Sequence, residues 1–277
     1  MMTDHQWPDD LQPVEVRVAR QTDQLAAIKR FYCEGLGLPV LSEFTGHDGY
    51  DGLIVGLPGR AYHLEFLQHE AGSPGTAPNK ESLLVFYIPN AASVQEAAQK
   101  LMEMGYSQVV PQNPWWRERQ AIAIEDPDGW QVILQPEPTD TVVAPEWKGQ
   151  LQPTRVRFVR QTDQLSDLKR FYVEGLQLNI LAEFSGNDGY DGLIIGLPDE
   201  AYQQAFVHRA GGSPGAAPSK ENLLVFYTRD AAAVTRLVQK LVDMGCRRVH
   251  AENPWWERHQ AITIEDPDGW RIVLMEN

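Results

Sequence analysis

Glu125-Asp126-Pro127-Asp128-Gly129-Trp130 returns as Glu265-Asp266-Pro267-Asp268-Gly269-Trp270, and Leu11-Gln12-Pro13 returns as Leu151-Gln152-Pro153, in both cases 140 residues later. Holding that offset fixed aligns 11–137 with 151–277 without an insertion or deletion. About 70 of roughly 127 aligned positions are identical, far beyond chance self-similarity at one period. The chain is a tandem duplication, so each copy serves as a control for the other. A position kept in both serves something both need, and a position that differs marks divergence.

In the first hexapeptide Asp126-Pro127-Asp128-Gly129 reads as a tight turn, because Pro pre-sets the second position and Gly accepts positive φ. It joins the last two strands of the repeat. Upstream lie an apolar strand at Ser82 to Ile88 and a helix after Asn90 that carries Val94, Ala97, Leu101 and Met104 and ends at Gly105. Gly72 to Pro78 breaks both periodicities and reads as a loop. Before it, Val14, Val16 and Val18 alternate with Glu15, Arg17 and Ala19, the period of a half-buried strand. A helix follows with Thr22 as N-cap, Leu25, Ile28, Phe31 and Tyr32 as its apolar stripe, and Gly35 where a helix end tolerates a left-handed residue. Strands are expected at Pro39 to Phe44, Gly52 to Leu57 and Ala61 to Leu67. Each repeat thus holds two β-α-β-β-β units, dividing the chain into 1–138, a linker at 139–150, and 151–277.

With 277 residues and 43% hydrophobic content, both units are long enough for cores of their own. The net charge of −14 argues against a nucleic-acid partner, since phosphate contacts need clustered Lys and Arg. The acidity is uneven: residues 1–137 hold 9 Lys and Arg against 19 Asp and Glu, residues 151–277 hold 14 against 17, so the first repeat carries most of it. Cys33 and Cys246 face Val173 and Tyr106 in the other copy, so the duplication carried no disulfide with it and both read as free thiols in a reducing compartment. No basic segment precedes an apolar run, and no stretch approaches the ~18 apolar residues of a membrane helix. A soluble, cytoplasmic protein without membrane partners is expected.

The helix end Arg30-Phe31-Tyr32-Cys33-Glu34-Gly35-Leu36-Gly37-Leu38, the strand Leu84-Val85-Phe86-Tyr87 and the turn Asp126-Pro127-Asp128-Gly129-Trp130 together resemble the vicinal oxygen chelate superfamily. Glyoxalase I, extradiol dioxygenases, fosfomycin-resistance enzymes and bleomycin-resistance proteins belong to it. Gly49-Tyr50-Asp51-Gly52, Gly56-Leu57-Pro58, Tyr62-His63-Leu64-Glu65-Phe66 and Asn113-Pro114-Trp115-Trp116 resemble its YycE-like subgroup more closely still. The resemblance covers both repeats nearly end to end. It implies an α+β fold of two tandem domains, each of two βαβββ modules forming a cup-shaped mixed sheet with helices outside. It also implies that the duplication replaces a homodimer by a pseudo-dimer within one chain, so that a monomer would suffice.

The same resemblance implies metal ligands on the first and last strands of each module. Those places hold Val16 or Arg17, Glu65, Leu83 and Ile133 in the first repeat, and Val156 or Arg157, Ala205, Leu223 and Val273 in the second. Aliphatic side chains donate nothing to a divalent ion, and one carboxylate in eight places is not a ligand set. No cofactor is expected; a divalent metal is the alternative.

His63 and Glu65 share a strand face and are absent from the second copy, where Gln203 and Ala205 stand. They are the candidate catalytic or metal pair, set against a plain hydrogen bond at a polar rim. Arg17 and Arg157 are kept in both copies and point away from the helix-facing core. Each offers a fork for a carboxylate or phosphate, or else an internal ion pair with an acid such as Glu43 or Glu183. Trp115 and Trp116, Trp255 and Trp256 stand on matched loops, with Tyr87 and Tyr227 on the cup face. One tryptophan of each pair is expected to pack inward and the other to face the cleft or solvent, set against core packing of the hairpin by one or both. His47-Asp48 with Asp51 reads as a Gly/Asp turn, and His69, His208, His250 and His259 as surface residues.

Two functions follow. The first is metal-independent binding of a small organic molecule in clefts lined by Arg17, Arg157, Tyr87, Tyr227 and the Trp pairs, similar to the bleomycin-resistance proteins of the superfamily. The alternative is a glyoxalase-type lyase or dioxygenase confined to the first repeat around His63 and Glu65. A pure interaction scaffold is a third possibility.

Overall fold

The computed structural model describes residues 13–56, 62–72, 76–137, 153–196, 202–212, 216–228 and 230–276. The 139–150 linker, the middle of the Gly72 to Pro78 loop and the side chain of Val14 lie outside them. In the first repeat β1 (Pro13–Gln21) leads through helix α1 (Leu25–Lys29) to β2 (Val40–His47), β3 (Tyr50–Gly56) and β4 (Tyr62–His69). The second module runs β5 (Leu83–Ile88), α2 (Ala91–Glu103), β6 (Gln108–Val109), α3 (Pro114–Glu118), β7 (Ile122–Glu125) and β8 (Gln131–Pro136). The second repeat repeats the order as β9 (Arg155–Gln161), α4 (Leu165–Lys169), β10 (Asn179–Asn187), β11 (Tyr190–Gly196) and β12 (Tyr202–Arg209). It continues through β13 (Leu223–Thr228), α5 (Ala231–Asp243), β14 (Arg247–Val249), α6 (Pro254–Arg258), β15 (Ile262–Glu265) and β16 (Arg271–Glu276).

The strands form two mixed eight-stranded sheets, and neither follows the sequence repeat. Sheet A runs β14-β15-β16-β13-β1-β4-β3-β2, and sheet B runs β10-β11-β12-β9-β5-β8-β7-β6. At the centre of sheet A, β1 lies antiparallel to β13, with Arg17 opposite Val225 and Ala19 opposite Leu223. At the centre of sheet B, β9 lies antiparallel to β5, with Arg157 opposite Val85 and Val159 opposite Leu83. A repeat-by-repeat cup is therefore replaced by two cups, each made of one module from either copy. The pairing satisfies edges that β1 and β5 would expose if each repeat stood alone.

Strand alternation divides the faces. Val16, Val18, Leu64 and Phe66 turn toward the helices and join Ile28, Phe31, Tyr32, Val94 and Leu101 in one core that spans both sheets. Tyr62 stacks on Tyr202 within it, ring centroids 4.8 Å apart. Two smaller apolar clusters lie on the opposite, cup faces: Leu83, Val85, Tyr87 and Trp116 on sheet B, and Ala19, Val225, Tyr227 and Trp256 on sheet A. Along α2 the buried residues are Val94, Ala98 and Leu101, with Ala97 only partly covered. Asn90 caps its start by accepting from the Ser93 N–H at 2.8 Å.

Local details differ from expectation at the first helix. Its N-cap position is Gln24, and Thr22 instead accepts the Gln24 N–H at 2.9 Å and donates to Asp128 at 3.0 Å. The helix continues as a wide π turn, Arg30–Gly35. Gly35 is not the left-handed residue; that is Gly37 at φ 76°, with Gln177 at φ 61° in the other copy. Gly35 is needed for close packing instead, since a Cβ there would sit 2.4 Å from Leu101 Cδ2 on α2.

The Asp-Pro-Asp-Gly turn carries more than a turn. Asp126 is buried, ion-paired with Arg20, accepts the Tyr32 hydroxyl at 2.8 Å and takes the Asp128 and Trp130 N–H groups at 3.0 Å each. Arg160, Asp266 and Tyr172 repeat the arrangement. Each repeat keeps this polar tie internal on the helix side, while its sheet edges are exchanged.

Candidate functional site

Arg17, and not Val16, faces the cup of sheet A, because Val16 is committed to the helix-side core. The exchanged sheets change its neighbours. Arg17 and the His63–Glu65 pair of the first repeat share the sheet A cup with Tyr227, Trp255 and Trp256 of the second. Arg157 of the second repeat meets Tyr87, Trp115 and Trp116 of the first. Arg17 lies 4.9 Å from the Tyr227 ring and Arg157 5.0 Å from the Tyr87 ring.

In each pair one tryptophan, Trp116 or Trp256, is buried and the other, Trp115 or Trp255, is only partly covered, and both lie on the cup side rather than on opposite faces. Asn113-Pro114 opens the one-turn helix α3 rather than an extended segment: Asn113 accepts the Trp115 N–H at 3.0 Å, and Pro occupies the first turn, where no N–H is required. On a helix adjacent residues are not forced to opposite faces as on a strand. Trp115 and Trp116 meet edge to face at 4.7 Å, and Trp255 and Trp256 at 5.0 Å on α6. The Asn-Pro pair was the sequence signal for this.

In sheet A the polar groups neutralise one another. Arg17 donates to Glu15 at 2.9 Å and to Glu65 at 3.5 Å, and His63 Nδ1 lies 2.9 Å from Glu15. Burial works to raise Glu15, but the His63 hydrogen bond and the Arg17 charge outweigh it and hold the carboxyl below its usual range. Burial raises Glu65, against the pull of Arg17. The suggested acids Glu43 and Glu183 are spent on Lys29 at 2.7 Å and Lys169 at 2.8 Å. Across the mouth of this cup, Asp48 of the β2–β3 turn pairs with Arg258 of α6, one of its contacts measuring 3.0 Å.

Sheet B has the same frame and a different charge. Glu15, His63 and Glu65 are replaced by Arg155, Gln203 and Ala205. Arg157 donates from Nε and Nη2 to Gln203 Oε1 at 2.9 and 2.5 Å, and among the described residues it has no carboxylate partner. Burial pushes its guanidinium below the ordinary value. Arg155 is neutralised by Glu137. At the mouth Asp188 and Glu118 stand where the other cup has Asp48 and Arg258, so like charges replace an ion pair.

A cavity of about 150 Å³ opens beside Arg157, walled by Trp115, Trp116, Phe184, Ile194 and Ala205 among others. Tyr87 is not in its wall and instead lies against Arg157. Glu81, which also lines it, accepts the Tyr190 hydroxyl at 2.9 Å, and burial lifts its carboxyl to about 7. Its counterpart Glu221 is likewise raised by burial to about 7. Sequence reasoning passed over this matched pair, although Lys80-Glu81 and Lys220-Glu221 are kept in both copies.

A superfamily-type metal does not fit either cup. Across the four central strands the facing residues are Glu65, Ala19, Leu223 and Arg271 in sheet A, and Ala205, Val159, Leu83 and Gln131 in sheet B. One carboxylate already facing arginine supplies too few donors. Among the described residues there is no group of three His, Cys, Asp or Glu that could hold an ion. His47, with Asp48 and Asp51, lies in an exposed β2–β3 hairpin, where Asp51 accepts the Gly46 N–H at 2.8 Å. Both cysteines are free, and no helix among the described residues is long and apolar enough to cross a membrane.

Comparison with known proteins agrees with this architecture. Uncharacterized protein YycE of Bacillus subtilis is 49% identical over 123 residues, 44% of this chain and 88% of that protein, the length of one repeat. The 2.0 Å crystal structure of a YycE protein of unknown function from Bacillus subtilis is 42% identical, covering 51% of this chain and 100% of its own, with a TM-score of 0.45. Glyoxalase I from Zea mays superposes over 96% of this chain and 92% of its own at a TM-score of 0.70, with 16% identity, which places both sheets in the vicinal oxygen chelate fold. The YycE-like N-terminal domain matches residues 16–67 and 156–207, and the YycE-like C-terminal domain matches 81–136 and 221–276, so this chain belongs to the YycE-like family as a tandem two-repeat form.

Proposed function

We propose that the protein binds a small organic molecule, without a metal, in the cup of sheet B. The observation that carries this reading is Arg157: a largely desolvated guanidinium beside an aromatic cavity, with a neutral amide and no acid as its partner among the described residues. A buried charge left without a counter-ion is costly unless something completes it. The twin arginine in sheet A has its acids built in, so its charge is matched within the protein.

Pockets of this kind, apolar walls with a few convergent polar groups, are the usual form of a small-ligand site. The test uses 15N-labelled indole signals of the full chain after dialysis against EDTA, titrated with benzoate, benzyl alcohol and benzylamine. At least one probe is expected to shift the Trp115 and Trp116 signals, and that shift should vanish in Ala205→Glu. Silence from all three probes would overturn the reading.

A further inference from the structure

We infer that the ligand of the sheet B cup is a compact aromatic carboxylate, with its ring against Trp115, Trp116 and Phe184 and its carboxylate on Arg157. This rests on the reading of that cup as a small-molecule site and adds the chemical class.

Size sets the first limit. A dry apolar cavity of about 150 Å³ admits a single benzene-sized ring, and the cavity beside Arg157 has this volume.

Charge sets the second. Passing from sheet A to sheet B, Glu15 becomes Arg155 and Glu65 becomes Ala205. Sheet A places two carboxylates around one arginine. Sheet B pairs Arg155 with Glu137 and leaves Arg157 on the neutral amide of Gln203, with no carboxylate at ion-pair distance among the described residues. Around the shared arginine, sheet A thus supplies two acids of its own where sheet B supplies an arginine and an alanine. Ala205 opens the volume that the Glu65 side chain fills in the twin, and a ligand carboxylate there would restore the ion pair of sheet A.

Geometry supports one anionic group. Gln203 Oε1 holds Nε and Nη2 of Arg157 and leaves Nη1 without a hydrogen-bond partner among the described residues. A guanidinium fixed in this way is pre-organised for a planar carboxylate. Glu81 stands in the same wall with its hydrogen-bonded carboxyl beside Tyr190.

The experiment measures dissociation constants of benzoate, benzyl alcohol, benzylamine and acetate by tryptophan fluorescence and calorimetry on the full chain. Benzoate is expected to bind at least tenfold more tightly than each of the other three, with affinity falling as salt rises. Arg157→Gln should bring benzoate to the level of benzyl alcohol, and Ala205→Glu should abolish its binding. Should Arg157→Gln fail to fold, Ala205→Glu keeps the test open, since sheet A already accommodates a glutamate at this place. Benzyl alcohol or benzylamine binding as well as benzoate would overturn the anionic class while leaving the cup a small-molecule site. Acetate binding equally would overturn the aromatic one. Binding of no probe would overturn both readings together.

Discussion

Arg157 donates twice to the side-chain oxygen of Gln203, at 2.9 and 2.5 Å, where its copy Arg17 faces carboxylates. The same guanidinium is therefore an internal ion in one cup and an uncompensated charge in the other. Arg17→Gln should destabilise the protein by about 3–5 kcal/mol in urea unfolding, since it strands Glu65 in the interior. Arg157→Gln should cost less than about 1 kcal/mol or add stability, because it removes a desolvated charge that has no acid. Equal losses in the two variants would refute the asymmetry.

Glu81 makes stability depend on pH in a defined direction. Burial raises its folded value to about 7 from 4.5, so between those values the folded state holds the proton more tightly than the unfolded one. Its contribution to stability is present below about pH 4.5 and is lost as pH rises through 7. Relative to wild type, Glu81→Gln should gain on the order of 2 kcal/mol between pH 4.5 and pH 8. Thermal unfolding across that range measures it, and parallel curves for the two proteins would contradict the assignment.

Two backbone positions separate packing from conformation. Gly35→Ala should lower stability by about 1–3 kcal/mol, since the added methyl meets Leu101 where the π turn packs on α2. Gln177→Gly should raise it by about 1 kcal/mol, because Gln177 holds φ 61° where the first copy has Gly37. Denaturant midpoints for both variants settle the pair.

The sheet exchange makes a claim about single repeats. Residues 1–138 alone would leave β1 and β5 without the partners β13 and β9 that they have here. Such a fragment should assemble as a symmetric dimer that rebuilds both sheets, read by light scattering. A well-folded monomer would show that the exchange is dispensable.

The repeat, the strand alternation at Val16-Arg17-Val18 and the turn at Asp126 made the fold legible, because each is a local pattern with one physical reading. The side of β1 on which Arg17 lies followed from that alternation too. Which repeat supplies the opposite wall did not, since β1 pairs with β13 across roughly 200 residues of chain and no local pattern records it. The Trp115-Trp116 orientation was within reach through Asn113-Pro114, a helix-start signal passed over in favour of an extended segment. The charge reversal was also written in the sequence, as Glu15 against Arg155, yet its meaning depends on which groups share a cup. Asp126 was identified as a turn residue, whereas its partner Arg20 is 106 positions away and becomes visible only in three dimensions.

The difference between the two cups is tested most directly by the number of benzoate molecules bound per chain, determined by calorimetry on wild type, Arg17→Gln and Arg157→Gln. One site is expected in wild type, retained in Arg17→Gln and lost in Arg157→Gln. Two sites in wild type, or a single site that survives Arg157→Gln and disappears with Arg17→Gln, would contradict it.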